Sequence, residues 1–128
     1  MKAYTDLEQS QKLAEFLPIE SADMYYEKGI GDNYRVDFGN YADISISKNL
    51  LYIDAIPCWS LTALRNLLPI GIKINENTYL FESHNTFDKS WVYRYYNEDD
   101  TSYLYYNDTS EIDACVAMIE KLHELNLL

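Results

Sequence analysis

Apolar residues recur along this chain with two different periods, and each change of period marks an element. Leu7, Leu13, Ala14, Phe16 and Leu17 fall on one side of a helical wheel and Glu8, Gln11, Lys12 and Glu15 on the other, predicting a helix over about 6–17. Thr5-Asp6-Leu7-Glu8 has the form of a capping box at its start, with Thr5 as the cap and Glu8 as its partner, and Pro18 ends it. Leu61, Leu64, Leu67 and Leu68 predict a second helix over about 60–68, stopped by Pro69. The longest stripe, Ile112, Cys115, Val116, Ile119, Leu122 and Leu125, predicts a third helix over about 110–125 behind cap candidates Asp108 to Ser110.

Between the helices the period falls to two. Strands are expected near Ala22 to Lys28, Tyr34 to Phe38 and Ile44 to Ile53, with 29–33 as a turn, and then at Ile72 to Ile74, Thr78 to Glu82, Ser90 to Tyr96 and Tyr103 to Tyr106. The links are too short for parallel crossovers, so successive strands pair as antiparallel hairpins. The expected fold is α+β: a mainly antiparallel sheet of about five to seven strands, with the three helices packed on one face, in a single domain over 1–128. In the last three strands the odd positions Tyr79, Phe81, Trp91, Tyr93, Tyr95, Tyr103 and Tyr105 make the better core face. Glu82 and Arg94 then point outward, and Tyr96 and Tyr106 are expected to stand with them.

Composition narrows the partners. With 48% apolar and 24% charged residues the chain has the makeup of a globular protein rather than a disordered one. Its 21 acidic residues against 10 basic ones give a net charge of −11, which repels phosphate backbones and anionic lipid alike. Neither direct nucleic-acid binding nor membrane binding is expected. Glu98-Asp99-Asp100 is the one tight acidic run, and a solvated turn between strands explains it. The N-terminus turns polar at once, and no apolar run reaches the roughly 18 residues of a bilayer span, so a cytoplasmic address is expected. Cys58 and Cys115 lie far apart in sequence without CxxC spacing, which suits reduced, buried thiols.

Three blocks, Met1-Lys2-Ala3-Tyr4-Thr5-Asp6-Leu7-Glu8-Gln9-Ser10 running on to Met24, Ile56-Pro57-Cys58-Trp59-Ser60-Leu61 to Pro69, and Asp113-Ala114-Cys115 to Leu128, resemble a group of small uncharacterised proteins of gut anaerobic bacteria and their phages or mobile elements. The resemblance covers less than half the chain. It implies an intracellular accessory protein of mobile DNA, and it brings no activity, cofactor or site residue with it.

Candidate chemistry is thin. His123 in Glu120-Lys121-Leu122-His123 has the Glu-x-x-His spacing of half a carboxylate di-metal site, but neither other helix supplies the second half. Glu82, His84 and Asp88 on one short stretch make only a generic ligand pattern. Cys58, just before or within a first helical turn where the helix dipole lowers a thiol pKa, is the best nucleophile, yet it needs His84 or His123 as a base. Gly29, Gly31, Gly39 and Gly71 form no phosphate-binding loop. No catalytic residue, cofactor or metal ligand is therefore assigned.

What remains is a non-enzymatic module that binds another protein through tyrosines on the outer sheet face, because Tyr offers large, stiff, amphipathic contact area. The candidate interface residues are Tyr25, Arg94, Tyr96 and Tyr106. Two alternatives come from other classes: an acidic mimic of nucleic acid that inhibits a basic protein, and a thiol enzyme built on Cys58.

Overall fold

A computed structural model describes residues 2–28, 33–39 and 55–128. The protein is α+β, its described residues forming seven strands in two antiparallel sheets where one sheet was expected. The chain divides into two compact units, Ala3–Ala63 and Leu64–Leu128, the latter taking in Lys2.

In the first unit, helix α1 spans Leu7–Leu13 and is followed by a 3-10 turn, Ile19–Ser21. Strands β1 (Met24–Lys28), β2 (Tyr34–Phe38) and β3 (Ala55–Cys58) form a sheet in the order β2-β1-β3, with α1 packed against β3. The capping box is real but sits one residue later than expected. Asp6 accepts from the Gln9 amide at 2.8 Å while the Gln9 side chain accepts from the Asp6 amide at 3.1 Å. Thr5 is instead fully buried, accepting from the Trp59 amide at 3.2 Å and sharing a 2.7 Å bond with Ser10. Strand β3 falls where the sequence suggested the approach to a helix. Pro57 hides it, since a proline cannot donate to a ladder, and it is tolerated because β3 lies at one end of this sheet's strand order. The strand expected over 44–53 lies outside the described residues.

The second unit is a meander. Strands β4 (Gly71–Ile74), β5 (Asn77–Asn85), β6 (Trp91–Tyr96) and β7 (Ser102–Asp108) pair in sequence order. Helix α2, Leu61–Leu67, precedes them, and α3, Glu111–Glu124, packs on β6 and β7. Its N-cap is Ser110, whose hydroxyl accepts from the Asp113 amide, and Ile112, Cys115, Val116, Ile119 and Leu122 are buried as the stripe predicts. Leu125 becomes the C-cap.

Register decides which tyrosines face the helix. Residues directly opposite in an antiparallel ladder share a face, so Phe81, Tyr95 and Leu104 form one row and Ser83, Tyr93 and Tyr106 the next. Tyr93 and Tyr95 are fully buried there, with the Phe81 ring 5.5 and 5.4 Å from theirs. Tyr93 also donates to Glu111 in the first turn of α3, which marks this face as the inner one. The opposite face carries Leu80, Glu82, Arg94, Tyr96 and Tyr105.

In register the expected odd–even pattern holds on β5 and β6, although Val92 on the outer side is itself buried, and it fails on β7. Tyr95 pairs with Leu104 but Tyr96 pairs with Ser102, so Tyr103 is an extra residue in a β-bulge. Beyond it every side chain of β7 changes face. Tyr106 turns inward and Tyr105, 53% exposed, turns outward.

Candidate functional site

The antiparallel meander puts alternate turns at the same end of the sheet. The β4–β5 turn is the two-residue pair Asn75-Glu76, both at positive φ (49° and 72°), the twist that a tight hairpin needs. The β6–β7 turn, Asn97–Thr101, is held from within. The Asn97 side chain accepts from the amides of Asp99 (3.1 Å) and Thr101 (2.9 Å), and Asp100 takes φ 60°. Glu76 on one turn and Glu98 and Asp99 on the other line a cleft of about 270 Å³ with Asn77, Thr78 and Asn97. A second cleft of about 160 Å³ shares Thr78, Asn97 and Glu98 and adds Leu80 and Tyr96. Carboxylates and an apolar surface thus lie side by side at one end of the outer face.

The centre of that face is electrically closed. Glu82 sits opposite Arg94 in the β5–β6 ladder and accepts from its Nε at 3.0 Å and its Nη2 at 2.8 Å. Asp100 also lies 2.8 Å from Arg94 Nη2, and His84 Nδ1 is 2.9 Å from the other Glu82 oxygen. The Arg94 hydrogen bond, aided by that cation's charge and by His84, holds the Glu82 carboxyl below its ordinary value, and Glu82 in turn raises Arg94. The guanidinium stacks on Tyr96, 4.6 Å from the ring centroid. Among the described residues, Glu76, Glu98 and Asp99 form no ion pair.

Of the four candidate interface residues, Arg94 and Tyr96 come together on this face. Tyr25 does not join them, being 5% exposed on β1 with its hydroxyl 3.5 Å from Asp37. Tyr106 stands opposite Tyr93 on the inner face. The sequence missed Tyr105 because of the bulge, while Leu80, 49% exposed, falls at an outward position of the alternation but as a lone leucine gives no interface signal. It also registered Glu98-Asp99-Asp100 without its convergence on Glu76, which depends on strand order.

The other candidates are occupied in ways that point to structure. Cys58 closes β3, three residues before α2, so no helical turn surrounds it. It is fully buried, its sulfur 3.5 Å from both the Thr5 hydroxyl and the Thr5 carbonyl, and burial pushes the thiol up, where a helix-start nucleophile would be lowered. Burial likewise pushes the Cys115 thiol up to about 12. Glu82 and His84 pair with each other, while Asp88 accepts from Thr86 and Ser90 in its own turn, and those bonds depress its carboxyl. His123 lies in the last turn of α3, exposed. Among the described residues no group of three or more His, Cys, Asp or Glu side chains is arranged to hold a metal, and no helix is long and apolar enough to cross a membrane.

The chain matches no protein-family model, no curated protein and no solved structure.

Proposed function

We propose that the protein is a non-enzymatic, cytoplasmic module that binds another protein through the outer face of its four-stranded sheet. The observation that carries this is the exposure of Leu80 (49%) and Tyr105 (53%) on the face where Arg94 is already fixed by two carboxylates and the Tyr96 ring. Stiff aromatic and aliphatic groups around a pre-ordered charge lose little entropy on docking, the property that distinguishes interface residues from scattered surface ones. Interfaces also favour Tyr and Arg in their centres over Lys and Glu.

The experiment compares three chains as bait: wild type, the double variant Tyr96→Ser/Tyr105→Ser, and Phe87→Ser, which removes a fully exposed aromatic from the far turn. All three are expected to keep the same far-UV spectrum. A partner identified with wild type is expected to stay with Phe87→Ser and to be lost by the double variant. Its undiminished capture by the double variant would overturn the proposal.

A second reading, the acidic mimic that occupies a basic protein, draws support from the convergence of Glu76, Glu98 and Asp99 on one cleft. It requires binding that weakens steeply with salt.

A further inference from the structure

We infer that the paired clefts at the turn end of the sheet receive a lysine or arginine side chain from an extended basic segment of the partner. The inference rests on the protein-binding function proposed above and specifies the chemistry of what is bound.

The two clefts differ in character and share a wall. Leu80, the Tyr96 ring and the Thr78 methyl offer apolar surface, while Glu76, Glu98 and Asp99 offer carboxylates a few residues away. Few side chains suit both. A carboxylate or phosphate is repelled by the acidic half, and a leucine or phenylalanine fills the apolar half but leaves nothing for the acids. Lysine and arginine carry an apolar stem of three or four methylenes ending in a cation, so the stem can lie on Leu80 and Tyr96 while the head reaches the carboxylates. At about 160 Å³ the apolar cleft has room for one such stem. One cation, Arg94, already stacks 4.6 Å from the Tyr96 centroid, so this ring demonstrably accepts a guanidinium.

Charge complementarity also favours a cation here over elsewhere on the sheet. Residues 75–78 and 96–101 contain four acids and no base, and only Asp100 among the four is spent on Arg94. Lys73 stands opposite Thr78 across the β4–β5 ladder, so one cation of this chain shares the face with the clefts while the net charge there stays negative. Both turns are fixed by their own backbone, through positive φ at Asn75 and Glu76 and through the Asn97 side chain, so the carboxylates are presented without a folding cost on binding.

The test is titration of the full chain, labelled with 15N, with an arginine-rich nonapeptide, its lysine counterpart and its citrulline counterpart. Amide shifts at Thr78, Leu80, Tyr96, Asn97 and Glu98 are expected with the arginine and lysine peptides and not with citrulline. Because the whole chain is acidic, a charge-matched control is essential. Glu76→Gln/Glu98→Gln is expected to weaken binding by about fivefold or more, whereas Glu8→Gln/Glu15→Gln, which removes two acids from the other unit, is expected to weaken it by less than about twofold. Leu80→Ser, which changes no charge, is expected to weaken it as well. Equal effects of the two charge pairs, shifts spread over the whole surface, or indifference to Leu80→Ser would each overturn the inference. If the peptides fail while the native partner is still lost by Tyr96→Ser/Tyr105→Ser, the protein-binding function stands and only the basic-segment assignment falls.

Discussion

The Tyr93 hydroxyl donates to Glu111 Oε2 at 2.6 Å, tying the inner face of β6 to the first turn of α3. Arg65 at the end of α2 completes the contact, its Nη1 lying 2.8 Å from both the phenol oxygen and the Glu111 carboxylate. One carboxylate therefore joins three elements. Tyr93→Phe is expected to cost about 1.5 kcal/mol, the lower end for a hydrogen bond to a charged group, because the carboxylate keeps Arg65 as a donor. Glu111→Ala is expected to cost about 2 kcal/mol, because it leaves both Arg65 and Tyr93 without their acceptor and removes a first-turn acid. Urea unfolding checks both, and a Glu111→Ala chain no less stable than Tyr93→Phe would show the carboxylate to be dispensable.

Alkali is expected to unfold the protein cooperatively. Burial first, and for Tyr93 the bond to Glu111 as well, holds the phenols of Tyr26, Tyr93 and Tyr95 above the ordinary value of 10.0, and burial pushes the Cys115 thiol from 9.0 up to about 12. The folded chain thus retains protons that the unfolded chain releases. Stability from these groups is complete below the unfolded thiol value of 9.0 and is lost as pH rises toward about 12. Phenolate absorbance followed together with far-UV ellipticity tests this. A late fraction of the phenolate signal is expected to appear only as the ellipticity collapses, and ionisation of every tyrosine in a still-folded chain would contradict it.

The Glu82–Arg94 pair has the opposite sign. Its bond to Arg94 depresses the Glu82 carboxyl from 4.5, so its contribution is present above that value and is lost as pH falls through the lower folded one. Glu82 keeps about a third of its side chain exposed, so the coupling in a double-mutant cycle with Glu82→Gln and Arg94→Met is expected to be no more than about 1 kcal/mol at neutral pH. It is expected to vanish once the medium is acid enough to protonate Glu82, and a coupling indifferent to pH would exclude the ion pair as its source.

Deletions along β7 are expected to have unequal effects. Removing Tyr103 takes out the bulge residue and leaves Ser102 opposite Tyr96 and Leu104 opposite Tyr95, so the ladder closes and the inner row survives. What is lost is the ring contact with Tyr79, centroids 5.2 Å apart, worth about 1 kcal/mol. Removing Tyr105 instead drives Tyr106 to the outer face and reverses every later residue before α3. Thermal unfolding is expected to show a far larger loss for the second deletion, and equal losses would mean that the register is not fixed at Tyr103.

Helices and most strands were legible because their periods are local: the Ile112 to Leu122 stripe needs only its own spacing, and β2 falls on Tyr34–Phe38 as expected. What escaped was set by non-local pairing. Thr5 is drawn from its expected cap by the buried Trp59 amide and Ser10 hydroxyl, and β3 depends on β1 to accept a strand containing Pro57. The bulge at Tyr103 has no signature in a run of alternating tyrosines, yet it exchanges Tyr105 for Tyr106 on the outer face. The cleft needed two turns, separated by two strands, to be brought to one end.

Glu76 holds φ 72° in the β4–β5 turn, a conformation that glycine adopts freely and a residue with a Cβ adopts only at a cost of about 1 kcal/mol. That position thus gives up stability where it places a carboxylate on the rim of the cleft. Local strain and the proposed cation recognition meet in a single residue there: glycine at 76 is expected to raise the melting temperature while stripping the cleft of one of its anions.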